Sequence, residues 1–369
     1  MNRLGFFSFI FFYLLALVYL AITLPIGPHE ASIYFEGKDI LHYLTHCCEN
    51  QFSNGLDFRL PFVLVAFFNI FLFFKVSKIY LDTREARYLS TMIFLLLPGI
   101  ITSGVLVNIA GLVITLLLLF LIFHEQQKRI LQLLIVLILL VLHDASIIFF
   151  IAIACFSLYQ RKIQEFSVIV MLLLIDLVYF THLDISGKPM GEFLELFGLY
   201  IALFSPLVFL YFFYALYRIA LREEKNILWF ISFYAFVFSI ILSLRQQVIM
   251  TDFAPYVIVS VVLMLNIYHK TLYVRLPIFQ KRYRFFFYLV IGSLVMSASI
   301  IFLHKSFFYF LDDKSKHFAY PFYEPYWQVL ELNEIGQKCY TVRKKKVQYQ
   351  LKYYGIDACR EMNVPKIHR

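Results

Sequence analysis

"GFFSFIFFYLLALVYLAITLPIGPHEASIYFEGKDILHYLTH", residues 5–46, joins an unbroken apolar run to a polar stretch with three histidines. The run over 5–24 has about the 20 residues that an α-helix needs to cross about 30 Å of hydrocarbon. Arg3 precedes it, and no small-x-small cleavage pattern follows, so it reads as a retained first span rather than a removed leader. The polar stretch then becomes the first loop outside the membrane.

Composition agrees. Of 369 residues, 61% are hydrophobic and only 15% charged. A water-soluble core cannot hide that much apolar surface, so lipid must cover part of it. The chain reads as an all-α polytopic membrane protein. Further apolar runs fall at 61–80, 89–105, 108–123, 130–143, 145–160, 165–181, 198–217, 227–243, 255–268 and 285–303, about eleven spans with the first. Basic pairs flank the stretch 130–160 at both ends, which predicts a tight hairpin turning at His143 and Asp144.

With the N-terminus inside, the inner segments hold Arg3, Lys75, Lys78, Arg84, Arg87, Lys128, Arg129, Arg161, Lys162, Arg218, Arg222, Lys225 and "HKTLYVRLPIFQKRYR". The outer connections hold Lys38, Arg59, Lys188 and Arg245. This is the asymmetry of the positive-inside rule, and it puts the C-terminus outside. It also accounts for most of the formal charge of +9, which therefore does not point to nucleic acid. Residues 1–303 form the membrane domain, with its first outer loop at 25–60, and residues 304–369 form a small polar and aromatic cap. Cys339 and Cys359 both lie in that tail, where an oxidising compartment allows a disulfide, two unpaired thiols being the alternative.

In the outer loop, Pro28 suits the first position of a helix. Ile33, Gly37, Ile40, Leu41 and Leu44 then share one stripe, with Asp39, His42 and His46 opposite, the pattern of an amphipathic helix lying on a membrane surface. His29 and Glu30 fall in its first turn, where the helix dipole favours an ionised carboxylate. Such a carboxylate serves as a general base or simply as a helix cap. Asp39, His42 and His46, spaced by three and four, reach either one divalent metal ion or only solvent. No glycine-rich phosphate loop, zinc-type cysteine spacing, Ser-His-Asp signature or internal repeat is present.

A first span followed by "HEASIY" in a long outer loop resembles the GT-C glycosyltransferases. The likeness is to the bacterial branch related to protein O-mannosyltransferases and aminoarabinose (lipid A) transferases. It continues through "DFRLPFVLVAFFNIFLFFKVSKIYL", "ARYLSTMIFLLLPGIITSGVLVNIAGLVITLLLLFLIF", "ISGKPMGEFLELFGLYIALFSPLVFLYFF" and "RQQVIMTDFAPYVIVSVVLM", and so covers residues 1–303. The resemblance implies a transferase that moves a sugar from a polyprenyl-phosphate carrier to a lipid A, glycolipid or protein acceptor at the outer face of a bacterial inner membrane, with inversion. By matching position, Glu30, with His29 beside it, is the catalytic base, and Arg245 with Arg59 or Lys188 holds the donor phosphate. The chain departs from the pattern where relatives carry Asp-Glu instead of His29–Glu30, and a second acidic residue where Asn108 stands. The metal or second carboxylate that relatives use is then either absent here or supplied by Asp39 or the pair His143–Asp144. The rival readings are a transporter or flippase for lipid-linked sugar, an envelope polysaccharide polymerase, and a structural partner of a membrane complex.

Overall fold

A computed structural model describes residues 3–48, 55–180 and 193–359. Helices dominate them. The first four are α1 (Arg3–Thr23), α2 (Pro28–Glu36), α3 (Ile40–His46) and α4 (Leu56–Tyr80). They are followed by α5 (Arg84–Leu96), α6 (Pro98–Val105), α7 (Ala110–Glu125), α8 (Arg129–Leu142), α9 (Ser146–Tyr159) and α10 (Ile163–Ile175), the last running into a π turn at Asp176–Phe180. Next come α11 (Phe193–Phe204), α12 (Pro206–Arg222), α13 (Ile227–Ser243), α14 (Met250–Ile258), α15 (Val261–Val274) and α16 (Pro277–Phe302). The chain closes with α17 (His304–Phe307), α18 (Tyr320–Glu334) and α19 (Lys345–Tyr353).

Among the described residues, four segments are long and apolar enough to span by themselves: Arg3–Thr23, Leu56–Tyr80, Met250–Val274 and Pro277–Phe302. Two bent pairs bring the number to six if each is one span. The sequence suggested about eleven. The difference lies in helices such as α8 and α9, 14 residues each, whose rise of about 1.5 Å per residue leaves them short of a full bilayer. Proline explains both bends. Leu97 is pushed into the extended region (ψ 127°) ahead of Pro98, and α5 and α6 meet at 63°. Pro206 likewise starts α12 after Ser205, and α11 and α12 meet at 104°, where one span over 198–217 was expected. The break between α8 and α9 falls at His143–Ala145, where the flanking basic pairs place it.

The chain divides into two compact units. The larger contains residues 1–11, 64–104 and 109–301, and its interior is aromatic. Phe73 stacks on Phe94 at 3.9 Å and Phe6 on Tyr88 at 4.3 Å. Asn69 donates to Gly111 O and accepts from Thr115, tying α4 to α7 through a buried polar contact.

The second unit collects residues 12–63, 105–108 and 302–369. The C-terminal tail and the first loop fall within this one unit. One core there consists of Ile26, Ala31, Phe58, Phe62 and Val107, with Tyr349, Tyr353 and Tyr354 of the tail packed on it. A smaller one, of Val329, Leu332, Leu351 and Ile356, lies within the tail. Cys339 and Cys359 are disulfide-bonded, and Tyr340 N–H donates to Asp357 O beside the bridge.

Candidate functional site

The loop "LPIG" between α1 and α2 carries two features that isolate it: proline at 25 and glycine at 27, with Pro28 as the first helical residue. Gly27 is the N-cap. Having no side chain, it supports only the reciprocal half of a capping box, in which Glu30 Oε2 accepts from Gly27 N–H at 2.8 Å. A Cβ on Gly27 would lie 2.5 Å from the Phe322 ring and 3.2 Å from Glu30 Oε2, so close approach requires glycine here.

Glu30 is 3% exposed. Its oxygens accept four hydrogen bonds: from Gly27 N–H, from Val107 N–H at 3.0 Å, and from Arg59 Nε and Nη2 at 3.1 and 2.5 Å. Arg59, from the first turn of α4, is fully buried. Its remaining donors go to carbonyls at the end of α1: Nη1 to Ala21 O and Leu24 O at 3.0 and 2.5 Å, and Nη2 to Pro25 O at 2.9 Å. All five N–H groups of the guanidinium are thus engaged. The dipoles agree with the charges: the cation sits at the carbonyl end of α1 and the carboxylate at the amide end of α2. The Phe58 ring lies 4.7 Å from the guanidinium carbon and closes the cluster from the side.

The rest of the loop backbone is satisfied by the tail. Ile26 N–H donates to Tyr354 Oη at 3.2 Å, and Ile26 O accepts from Gln350 Nε2 at 2.7 Å. Gln350 also donates to Pro321 O at 3.1 Å. A buried irregular segment would otherwise leave polar groups orphaned. On the outer side of α2, Lys345 pairs with Glu36, and Lys352 sits 4.8 Å over the Phe35 ring. Hydrogen bonds from Lys345 and Tyr349 hold the Glu36 carboxyl below its ordinary range.

Several expectations change on this geometry. Arg59 has no N–H left for a phosphate. Glu30 is not an open carboxylate at a water boundary but a buried, four-coordinate one. His29, next to it, is exposed. Partial burial of its ring, with help from Lys346, lowers its pKa from the usual imidazole value. The single amphipathic helix is two helices broken at Gly37, where a Cβ would lie 2.5 Å from Ile33 O. Ile33, Leu41 and Leu44 pack on the unit's own core instead of forming a free lipid-facing stripe.

The metal expectation does not fit either. Asp39 occupies the N-cap position of α3 without a side-chain capping bond, His42 Nδ1 contacts Ile33 O at 3.1 Å, and His46 Nδ1 contacts His42 O at 2.9 Å. Among the described residues no group of three His, Cys, Asp or Glu side chains is placed to hold a metal. Asn108 turns its amide to Leu106 O, at 3.1 Å, in the short segment that also brings Val107 to Glu30. His143 is buried in the larger unit, with Nδ1 3.0 Å from Tyr256 Oη. Arg245 is exposed in the turn after α13, near the bond from Gln247 to Glu195 at 2.9 Å. Lys188 lies outside the described residues. The sequence reading missed Gln350 and Tyr354, whose only signal was the amphipathic tail segment "KKVQYQLKYYG".

Taken together, these features define a multi-pass, all-α membrane protein whose first loop, over its described residues, is held by buried hydrogen bonds. Its fold is similar to that of ArnT from Cupriavidus metallidurans, known from a crystal structure in the apo state. The match has a TM-score of 0.57 and covers 94% of this chain and 84% of that one, at 10% sequence identity. At that identity the likeness is one of fold. No protein-family model and no curated protein sequence matches the chain.

Proposed function

We propose that this chain is an integral membrane glycosyltransferase of the GT-C type. It takes a sugar from a polyprenyl-phosphate donor and passes it, with inversion, to a lipid, glycan or protein acceptor at the periplasmic face of a bacterial inner membrane. The observation that carries this reading is the fold shared with ArnT, an aminoarabinose transferase, over nearly the whole chain.

Inversion requires the acceptor oxygen to attack the anomeric carbon opposite the phosphate. The carbon–oxygen bond to phosphate breaks as the new bond forms, and the acceptor's proton passes to a base. His29 and Glu30 divide that work. Glu30, held by four donors, orders the loop and fixes the start of α2. His29 is the exposed neighbour, and partial burial of its ring with Lys346 nearby favours the neutral imidazole, the form in which it accepts a proton. The leaving phosphate needs cationic donors. Arg245 and Lys188 are the candidates, since Arg59 is spent.

The test is made in the native host, comparing surface glycolipid and glycoprotein masses among wild type, a deletion, His29→Asn and Glu30→Gln. The reading expects the deletion and a stably inserted His29→Asn to lack the same sugar mass. If deletion changes no glycan mass, the transferase reading fails. If deletion removes the sugar while His29→Asn keeps it at the wild-type rate, His29 is not the base.

A further inference from the structure

The larger unit holds a cavity of about 660 Å³ between α7, α8, α9 and α10, within the size range of about 300–1,000 Å³ typical of ligand sites. Its walls are apolar: Leu133, Val136, Ile153, Phe156, Val168 and Ile169. Its mouth is cationic, lined by Arg129, Arg161 and Lys162 against one carboxylate, Glu165. Arg129 and Lys162 both form ion pairs with Glu165, each at 3.7 Å, longer than a hydrogen bond, so one carboxylate is shared between two cations and the mouth keeps a net positive charge. The Arg129 side chain is 76% exposed and that of Lys162 40%, so both are free to turn towards a ligand.

The turns at this mouth are built alike. After α7, Lys128 N–H bonds Phe123 O and Gln127 N–H bonds His124 O. After α9, Lys162 N–H bonds Ser157 O and Arg161 N–H bonds Leu158 O. Both are Schellman turns, and both put a non-glycine residue in the left-handed region, Gln127 at φ 56° and Arg161 at φ 59°. Glycine is the residue that relieves this conformation. At 161 the chain instead keeps an arginine that lines the cavity, against the local backbone preference. A cationic mouth over an apolar cavity matches an anionic head on a hydrocarbon tail. The basic pairs Lys128–Arg129 and Arg161–Lys162 belong to the segments that the charge asymmetry assigns to the inner side, where bilayers carry anionic lipid.

We propose that this cavity is a binding site for one anionic glycerophospholipid, with its phosphate at Arg129, Arg161 and Lys162 and acyl carbon between α8, α9 and α10. It is independent of the transferase reading.

The test uses the full-length protein in a neutral detergent. Native mass spectrometry compares retention of phosphatidylglycerol with that of phosphatidylcholine of the same chains, and inorganic phosphate is added separately as a head-only probe. Phosphatidylglycerol is expected to be retained preferentially. Arg161→Gly and Lys162→Gln should each reduce that preference about fivefold, the worth of one cation at a lipid surface, and leave phosphatidylcholine retention unchanged. Arg161→Gly is the decisive variant, because glycine suits the turn and the protein should fold at least as well. Equal retention of the two lipids by the wild type would overturn the proposal. So would an unchanged preference in Arg161→Gly, or displacement of the lipid by millimolar inorganic phosphate.

Discussion

Replacing Arg59 by methionine tests the central claim about the first loop. Methionine keeps most of the side-chain volume and removes every donor. Glu30, 3% exposed, then loses two of its four hydrogen bonds and the counter-charge in direct contact with it. Ala21 O, Leu24 O and Pro25 O lose their partner at the same time. Breaking a buried ion pair from one side costs about 3–5 kcal/mol. Arg59→Lys restores the charge without the five-donor fork and should recover only part of that loss. Glu30→Gln alone leaves the guanidinium unbalanced, whereas the double variant Glu30→Gln/Arg59→Met removes both charges. The two single losses should therefore not add, falling short of additivity by about 1–3 kcal/mol. Unfolding of the purified protein in mild detergent gives the numbers. The chain has two tryptophans, and in a Trp229→Phe background the remaining Trp327 reports on the unit that contains the loop. A loss below about 1 kcal/mol for Arg59→Met, or additive single losses, would refute the pairing as the element that holds the loop.

Glu36 supplies a pH dependence. Its folded pKa is depressed, chiefly by the Lys345 hydrogen bond, so the contact stabilises α2 against α19 fully above the unfolded carboxylate value near 4.5 and is lost as pH falls through the lower folded value. Protection factors of the α19 amides, each referred to the intrinsic exchange rate at the same pH, should fall more on acidification in the wild type than in Glu36→Gln, and an equal fall would exclude the contact. Cys359→Ser opens a bridge between residues 20 apart, which should destabilise the tail by about 3 kcal/mol. Limited proteolysis with and without reductant measures it, and identical cleavage rates would contradict the prediction. Asn69→Leu removes the bonds to Gly111 and Thr115, and such contacts inside membrane domains are worth only about 0.6–1.7 kcal/mol. Its melting temperature should fall slightly, and a collapse of the fold would show that more than this contact is lost.

Much of the larger unit was readable in one dimension. The span expected at 227–243 is α13, Ile227–Ser243, and that at 130–143 is α8, Arg129–Leu142. Hydrocarbon thickness and apolar run length are local constraints, so residues near one another in sequence settle them. Proline punctuation is equally local, and Leu97–Pro98 and Ser205–Pro206 mark real bends. The span count was less legible, because an apolar run shows that a helix is buried or lipid-facing but not that it is long enough to cross.

The loop's chemistry was decided elsewhere. From the sequence, Glu30 and Arg59 were two separate charges, one a base and the other a phosphate ligand. Their pairing joins residues 29 apart, and the tail's Gln350 reaches Ile26 across 324. Nothing in the spacing of either residue forces those partners. A buried carboxylate, guanidinium or carbonyl must find a partner, but which one depends on what the fold brings within about 3 Å. The sequence therefore determined that this is a membrane protein with a polar first loop. Only the tertiary structure decided that Glu30 is locked, that His29 is exposed and that the tail completes the loop, because long-range hydrogen bonds follow from packing and not from local pattern.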